Sequence, residues 1–217
     1  MINFFLRIKH WQLFQLLFVG PIAIQMILMM IFLNSAIETG DPQAMIRFFN
    51  FFPVIMFIIM FGYMGWIYSI GAGFQKLLPE HVKMPLKTFT TFLVIAGLNL
   101  VAFSVFITFA VNDISDSVQS GSTPSLSYLQ VIPIFILTNL FSLFCIVYSF
   151  YFAAKTLKSV ELQRDAYSEH YLGYLFLFWF SIIGIWIIQP KVNKLVEGTF
   201  QPTDPNKPIN NSKDLLD

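Results

Sequence analysis

Charged residues are scarce in this sequence, and cysteine is nearly absent. Only 12% of the 217 residues are Asp, Glu, Lys or Arg, about half of the ~25% typical of a soluble domain. The single cysteine, Cys145, leaves no partner in the chain for a disulfide and no CxxC pair for a metal. Thirteen basic residues against twelve acidic ones are too few for a nucleic-acid surface. The composition therefore argues against a soluble domain, a cysteine-based metal site and a nucleic-acid-binding protein.

Long apolar stretches without charged residues are abundant in the sequence. Five stretches contain no Asp, Glu, Lys, Arg or His: residues 11–33, 51–74, 88–111, 131–154 and 172–189. About 20 helical residues cross a hydrocarbon layer of ~30 Å, so each of the first four stretches is long enough to span it. Because they lack the period-two alternation of barrel strands, they predict helices. We expect an all-α integral membrane protein with four full transmembrane helices in one membrane domain, residues 11–189.

The fifth stretch, residues 172–189, is marginal. As one helix its 18 residues would rise only ~27 Å, and Ser181 and Gly184 interrupt its middle. It is interpreted either as a re-entrant or interfacial element or as a short fifth span. On either side of the membrane domain, residues 1–10 are predicted to be an interfacial segment and residues 190–217 a polar, disordered tail.

The distribution of basic residues predicts the orientation in the membrane. Lys and Arg number two in residues 1–10, one in 34–50, three in 75–87, none in 112–130 and three in 155–171. Because these residues concentrate on the cytoplasmic side, four spans with a cytoplasmic N-terminus place eight of them inside and one outside. Four further lysines in the tail favour a cytoplasmic C-terminus and the re-entrant interpretation. An uncleaved N-terminal anchor and many Phe residues fit a bacterial inner (plasma) membrane protein.

The second and fourth spans resemble each other when the sequence is shifted by 80 positions. Pro53 then falls on Pro133, and small residues fall on small residues at i, i+3, i+7 and i+11: Gly62, Gly65, Ser69 and Gly73 on Ser142, Cys145, Ser149 and Ala153. Small residues at such spacing form a seam on which membrane helices pack closely. We therefore predict two similar hairpins in the same orientation, with their seams facing each other or facing matching seams in an oligomer. The alternative is that every membrane hairpin needs small residues.

Residues that carry chemistry are few. No Asp, Glu, Lys, Arg or His lies inside the predicted spans, which argues against proton-coupled transport and against an intramembrane protease that needs aspartates or a metal. The candidates for a metal or acid/base site are two Glu-His pairs in the loops, Glu80-His81 and Glu169-His170. Adjacent residues on a helix point in different directions, and the pairs match no recognised ligand spacing. These pairs are therefore better explained as solvated loop residues, so that no catalytic residue, cofactor or metal is predicted.

The loops at residues 75–87 and 155–171 carry the basic residues predicted to form a cytosolic docking face: Lys76, Lys83, Lys155 and Lys158. Residues 155–170 are expected to continue the fourth helix and to dock on the loop at 75–87. This face would bind a partner or anionic headgroups.

Two classes of function remain open. The first is a non-enzymatic subunit or scaffold that packs with another membrane protein or forms a homo-oligomer in the lipid bilayer. The alternative is a small permease or channel for an apolar or uncharged solute, because uncharged spans suit neutral cargo better than ions. No phosphate-binding loop, nucleophile elbow or zinc-protease motif is present to support an enzyme.

Overall fold

A computed structural model describes residues 1–40, 43–123 and 130–199, and all regular secondary structure in these ranges is helical. Four helical segments are long and apolar enough to cross a membrane: His10–Thr39, Ile46–Leu77, Leu86–Ser120 and Ile132–Leu162. The predicted all-α membrane fold with four spans is confirmed. The helices are α1 (Ile2–Arg7), α2 (His10–Phe14), α3 (Gly20–Thr39), α4 (Gln43–Phe49), α5 (Phe52–Gly73), α6 (Leu86–Ser120), α7 (Ile132–Leu162), α8 (Ser168–Trp179) and α9 (Ser181–Val196).

The first span is continuous but locally widened. Between α2 and α3, residues Gln15–Val19 form a π-helical turn in which the amide of Gly20 donates to the carbonyl of Gln15. Pro21 follows directly and has no amide hydrogen to continue the ordinary ladder. A π turn before a proline accommodates its ring without ending the helix. The turn places Leu17, which is buried, on the inner face of the span.

The packed core lies at one end of the bundle. We call this the basic end: α5 and α7 finish there, α6 begins there, and it carries Lys76, Lys87 and Lys158. Its centre is the ring of Phe89, stacked on Phe152 at a centroid distance of 4.3 Å. The connection between α5 and α6 folds back onto α7, since the Thr156 hydroxyl donates to Met84 Sδ. The opposite end is held mainly by contacts between exposed or half-buried side chains.

The fifth apolar segment forms two helices joined at Phe180 and folded back on each other. Lys191 Nζ of α9 lies 3.0 Å from the Tyr174 hydroxyl of α8, although 17 residues separate them and a straight helix would hold them ~25 Å apart. Near the turn of this hairpin at Phe180, the carbonyl of Phe178 accepts a hydrogen bond from the Tyr63 hydroxyl. Tyr63 lies ten residues before the end of α5 at Gly73, which is ~15 Å at helical rise. The segment is thus a helical hairpin with both ends at the basic end, the geometry of the re-entrant interpretation.

Several predicted boundaries differ from the structure: α3 continues to Thr39 and α6 to Ser120, beyond the predicted span ends at residues 33 and 111. Residues 1–10 contain α1, whose Phe5 and Leu6 are buried in the bundle. Helix α7 ends at Leu162, where Gln163 takes a left-handed conformation, so it does not run on to residue 170. Helix α9 continues through Pro190 to Val196, because Val192 is buried and Asn193 donates to the carbonyls of Arg7 and Ile8. The rest of the predicted tail, residues 200–217, lies outside the described residues.

The tight fold of the hairpin depends on Gly184. A Cβ at this position would lie 1.9 Å from the carbonyl oxygen of Leu177, which belongs to the backbone and cannot move aside as a side chain would. We therefore expect Gly184→Ala to destabilise the protein by about 1–3 kcal/mol or more. The measurement is the unfolding midpoint in mild detergent. The matched control is Gly173→Ala in α8, where a Cβ meets nothing within 4 Å; this variant should be neutral or slightly stabilising, and an equal loss in both would contradict the packing argument.

Candidate functional site

The small residues of α5 are covered by the N-terminal segment of the same chain. A Cβ on Gly62 would lie 2.6 Å from Leu17, and one on Gly65 would lie 2.7 Å from Phe5. A Cβ on Gly73 would lie 2.7 Å from Leu6. Ser69, the remaining member of the seam, is buried and bonds back to the carbonyl of Gly65. Helix α1 and the π turn thus pack against the α5 seam.

The corresponding residues of α7 are all buried: Ser142, Cys145, Ser149 and Ala153. The Ser149 hydroxyl donates to the carbonyl of Cys145 within the same helix. The Ser142 hydroxyl has no hydrogen-bond partner among the described residues. On the neighbouring face of α7, Tyr148 packs edge-on against Phe92 of α6. The seam of α7, from Ser142 onward, therefore lies inside the bundle, with α6 as a close neighbour.

A buried glutamine joins three parts of the chain. Gln189 of α9 is fully buried, and its Oε1 accepts a hydrogen bond of 2.8 Å from Trp66 Nε1 of α5. Its Nε2 donates to the carbonyls of Phe5 and Ile8, at 2.9 and 2.8 Å. Those carbonyls lie where α1 ends, so they lack partners inside that helix. One amide side chain therefore satisfies the end of α1 and fixes it to both α5 and α9.

A second polar cluster closes the hairpin at the basic end. Glu161 of α7 is 3% exposed, and its two carboxylate oxygens accept from Lys158 Nζ at 2.9 Å and from the Tyr174 hydroxyl. That hydroxyl also accepts from Lys191. Both lysine ammonium groups lie over the ring of Tyr174, at 5.5 and 5.2 Å from its centroid, within the range of a cation–π contact. The cluster links α7, α8 and α9 and balances one buried carboxylate with two cations.

The electrostatics of this cluster favour a structural role. Burial of Tyr174 and the neighbouring carboxylate of Glu161 both raise the pKa of the tyrosine hydroxyl above its usual value. The hydroxyl therefore stays protonated at physiological pH and keeps donating to Glu161. A tyrosine with a raised pKa is a poor general base near neutral pH. The arrangement holds helices together and offers no nucleophile.

The two Glu-His pairs do not form a metal site within the part of the chain that the structure describes. No group of three or more metal-binding side chains is present there. His81 and Glu80 are exposed in the connection between α5 and α6. His170 Nδ1 accepts from the amide of Tyr167 and caps the start of α8, while Glu169 is exposed. The role of His170 in the structure is that of a helix cap.

The four lysines predicted to form a docking face divide into two pairs. Lys155 Nζ lies 3.1 Å from Asp165, and Lys158 pairs with Glu161. Lys76 and Lys83 are exposed, and no ion pair of theirs occurs among the described residues. The first pair therefore stabilises the α7–α8 connection, and the second is left available to a partner or to headgroups.

One span remains largely outside the packed core. In α3, a helix of 20 residues, only Pro21 is buried. Its large apolar side chains are exposed on every face: Ile22, Ile24, Met26, Ile27, Met29, Met30, Ile31, Leu33 and Ile37. Gln25 lies among them, partly buried, and its side-chain amide forms no hydrogen bond within the described ranges. Ser142 of α7 and Asn99 of α6 also have side-chain oxygens without a partner among the described residues, but those atoms are buried within the bundle, whereas Gln25 lies on a span that is mostly exposed.

Sequence reasoning did not identify Gln189, Trp66, Tyr174 or Glu161 as a connected set. Gln189 is the last residue of an uncharged stretch, and only the fold brings it to Trp66, 123 positions away. A signal was present in the sequence, since a Gln at the end of an 18-residue apolar stretch needs a polar partner if buried. Comparison with family models, curated proteins and solved structures finds no match to this chain.

The glutamine contact predicts a measurable loss of stability. Gln189→Leu leaves the Trp66 indole N–H and two carbonyls without partners, and a buried unpaired group costs about 1–3 kcal/mol. Unfolding in mild detergent by added SDS should show this loss. Gln75→Leu is the control, because within the described ranges the side chain of Gln75 bonds only to the carbonyl of Gly71, four residues earlier in the same helical region. Trp66→Phe should add little on top of Gln189→Leu, and fully additive losses would rule out the proposed coupling.

Proposed function

We propose that this integral membrane protein is a non-enzymatic subunit that binds another membrane protein through α3. The observation that carries the proposal is the position of α3: it is apolar all round, and only one of its 20 residues is buried. An apolar helix surrounded by lipid is stable, so exposure alone does not require a partner. Gln25 and the methionines of α3 are the side chains that favour a partner helix.

Gln25 supports a helix partner. Its amide lies within the uncharged stretch 11–33, where a polar group without a hydrogen-bond partner is costly. Membrane helices satisfy such groups by hydrogen bonds to neighbouring helices. Because no other described helix supplies one, a polar group on a partner helix is the simplest way to satisfy it.

The methionines of α3 support an adaptable interface. Met26, Met29 and Met30 are all exposed, each by about half or more of its surface. Methionine is unbranched and polarisable, and it is favoured at surfaces that adjust to a partner. By contrast, the small residues of α5 already contact the N-terminal segment. The predicted docking of partners on that seam is therefore replaced by docking on α3.

We also propose that both described termini lie on the cytoplasmic side. The basic end carries the N-terminal Arg7 and Lys9 and the loops with three basic residues each, and such residues concentrate inside. The end of α9 returns to the same side because the hairpin folds back on itself.

The alternative function, a permease for an apolar solute, is favoured by one observation. An apolar groove with a volume of about 340 Å³ lies between α5 and α6. A permease of this size would work as a homo-oligomer, so the composition of the isolated complex distinguishes the two functions.

The first test addresses the α3 interface. A photoreactive amino acid at Met29 should cross-link a second membrane protein in native membranes, whereas one at Leu140 of α7, also exposed, should not. Gln25→Leu should weaken recovery of that partner about threefold, the effect of losing an interhelical hydrogen bond of ~0.6 kcal/mol. Gln25→Asn, which keeps the amide, should retain part of the binding.

The products of this experiment separate the hypotheses. A heterologous membrane protein cross-linked from Met29 and recovered in fixed ratio supports the subunit. Cross-links only between copies of this chain, together with a bound solute, would favour the permease. Cross-linking only to lipid would contradict an α3 interface.

The second test addresses orientation. In a Cys145→Ser background, a single cysteine at Ser122, just after α6, should react with an impermeant maleimide added to intact cells. A single cysteine at Thr199, just after α9, should react only after permeabilisation. Labelling of Thr199→Cys from outside would show that the chain ends on the opposite side.

A further inference from the structure

An elongated groove runs along the outside of the bundle between α5 and α6. Its lining comes mainly from residues 60–68 of α5 and 90–98 of α6, which at helical rise extends over ~12 Å parallel to the spans. Its volume of about 340 Å³ falls within the ~300–1,000 Å³ of small-molecule sites. The lining side chains are Met1, Met60, Phe61, Met64, Tyr68, Thr90, Leu93, Val94 and Leu98, with Gly65 and Gly97.

The groove has one apolar end and one polar end. Phe61 and Leu98 lie at the apolar end, and Leu98 is 67% exposed, so the groove opens sideways to the hydrocarbon rather than to water. Tyr68 and Thr90 lie towards the basic end. The hydroxyl of Thr90 already donates to the carbonyl of Leu86, so this side chain does not require a hydrogen bond from an occupant. The molecules that reach such a lateral opening within the bilayer are lipids.

Glycine and methionine together shape this space. A Cβ on Gly97 would lie 3.0 Å from Met64 Sδ and 3.4 Å from Met60 Sδ. Gly97 therefore lets the two flexible methionine side chains settle against α6, which leaves the groove open. Because methionine has three rotatable bonds, these side chains can adjust to a flexible chain.

A lysine continues the lined face of α6 beyond the polar end. Lys87, Thr90, Val94 and Leu98 are spaced at i, i+3, i+7 and i+11, so they share one face of the helix. Lys87 is exposed, at the level where the span leaves the hydrocarbon. A cation above an apolar groove is complementary to a lipid phosphate above its acyl chain.

We propose that this groove binds one acyl chain of an anionic phospholipid, whose phosphate is held by Lys87. The site is separate from α3 and does not depend on the proposed partner. It requires that lipid reside in the groove longer than in the lipid layer around the exposed α3.

The test uses phosphatidylglycerol and phosphatidylcholine that carry a diazirine in one acyl chain, each in nanodiscs with the full chain. After irradiation, labelling of Met60, Met64 and Leu93 should exceed that of exposed α3 residues about tenfold. Labelling with phosphatidylglycerol should exceed that with phosphatidylcholine about fivefold, the effect of one lysine near an anionic headgroup. Equal labelling of the groove and α3 would overturn the proposal.

Two pairs of variants complete the test. Lys87→Gln should remove the preference for phosphatidylglycerol, whereas Lys83→Gln, an exposed loop lysine, should keep it. Gly97→Leu should push Met64 into the groove and reduce its labelling about tenfold, with α3 labelling unchanged. Gly173→Leu is the matched control, since that position is open. If Gly97→Leu does not fold, Leu98→Trp at the exposed rim covers the opening instead, and undiminished labelling there would overturn the proposal.

Discussion

The contact of Gln189 with Trp66 and with the end of α1 is the constraint on which the rest of the bundle depends. A membrane gives little hydrophobic force between helices, so association depends on close packing and on hydrogen bonds. The amide of Gln189 supplies three such bonds at a fully buried position. With α1 fixed there, Phe5 and Leu6 lie against Gly65 and Gly73, and α9 lies beside them. The helical hairpin and the N-terminal segment therefore stabilise each other.

This constraint divides the molecule into two unequal parts. The basic end contains the stacked Phe89 and Phe152, the buried Glu161 cluster and the hairpin. These contacts fix the relative positions of α6, α7, α8 and α9, and the hydrogen bond from Tyr63 to Phe178 adds α5. The opposite end has no comparable polar hub in the part of the chain that the structure describes, and α3 extends there with its apolar faces exposed. The tightly packed basic end thus leaves the apolar faces of α3 exposed to the membrane.

The sequence was sufficient for the spans, because runs without charge have a direct physical meaning in a bilayer. It was not sufficient for the tertiary contacts. Gly62, Gly65 and Gly73 could be recognised as a packing face, but only the structure identifies Leu17, Phe5 and Leu6 as what they pack against. Likewise, no local pattern places Gln189 beside Trp66 or Lys191 beside Tyr174, since both contacts depend on the fold at Phe180. Helix ends outside the hydrocarbon were predicted poorly, since α6 continues to Ser120 beyond the predicted end at residue 111, and α7 stops at Leu162 instead of continuing to residue 170.

The two proposed hairpins differ in a way that bears on the partner. In the second, α6 lies directly along α7, with Phe103 stacked on Phe135 at 5.4 Å and Phe92 against Phe144 at 6.0 Å. In the first, the aromatic contacts of α3 among the described residues are those of Phe32 with Phe48 and Phe51. If the hairpins arose by duplication, the position that a packed helix fills in one is left open in the other. A helix from a partner protein would restore that packing and, beside Gln25, would supply the missing hydrogen bond.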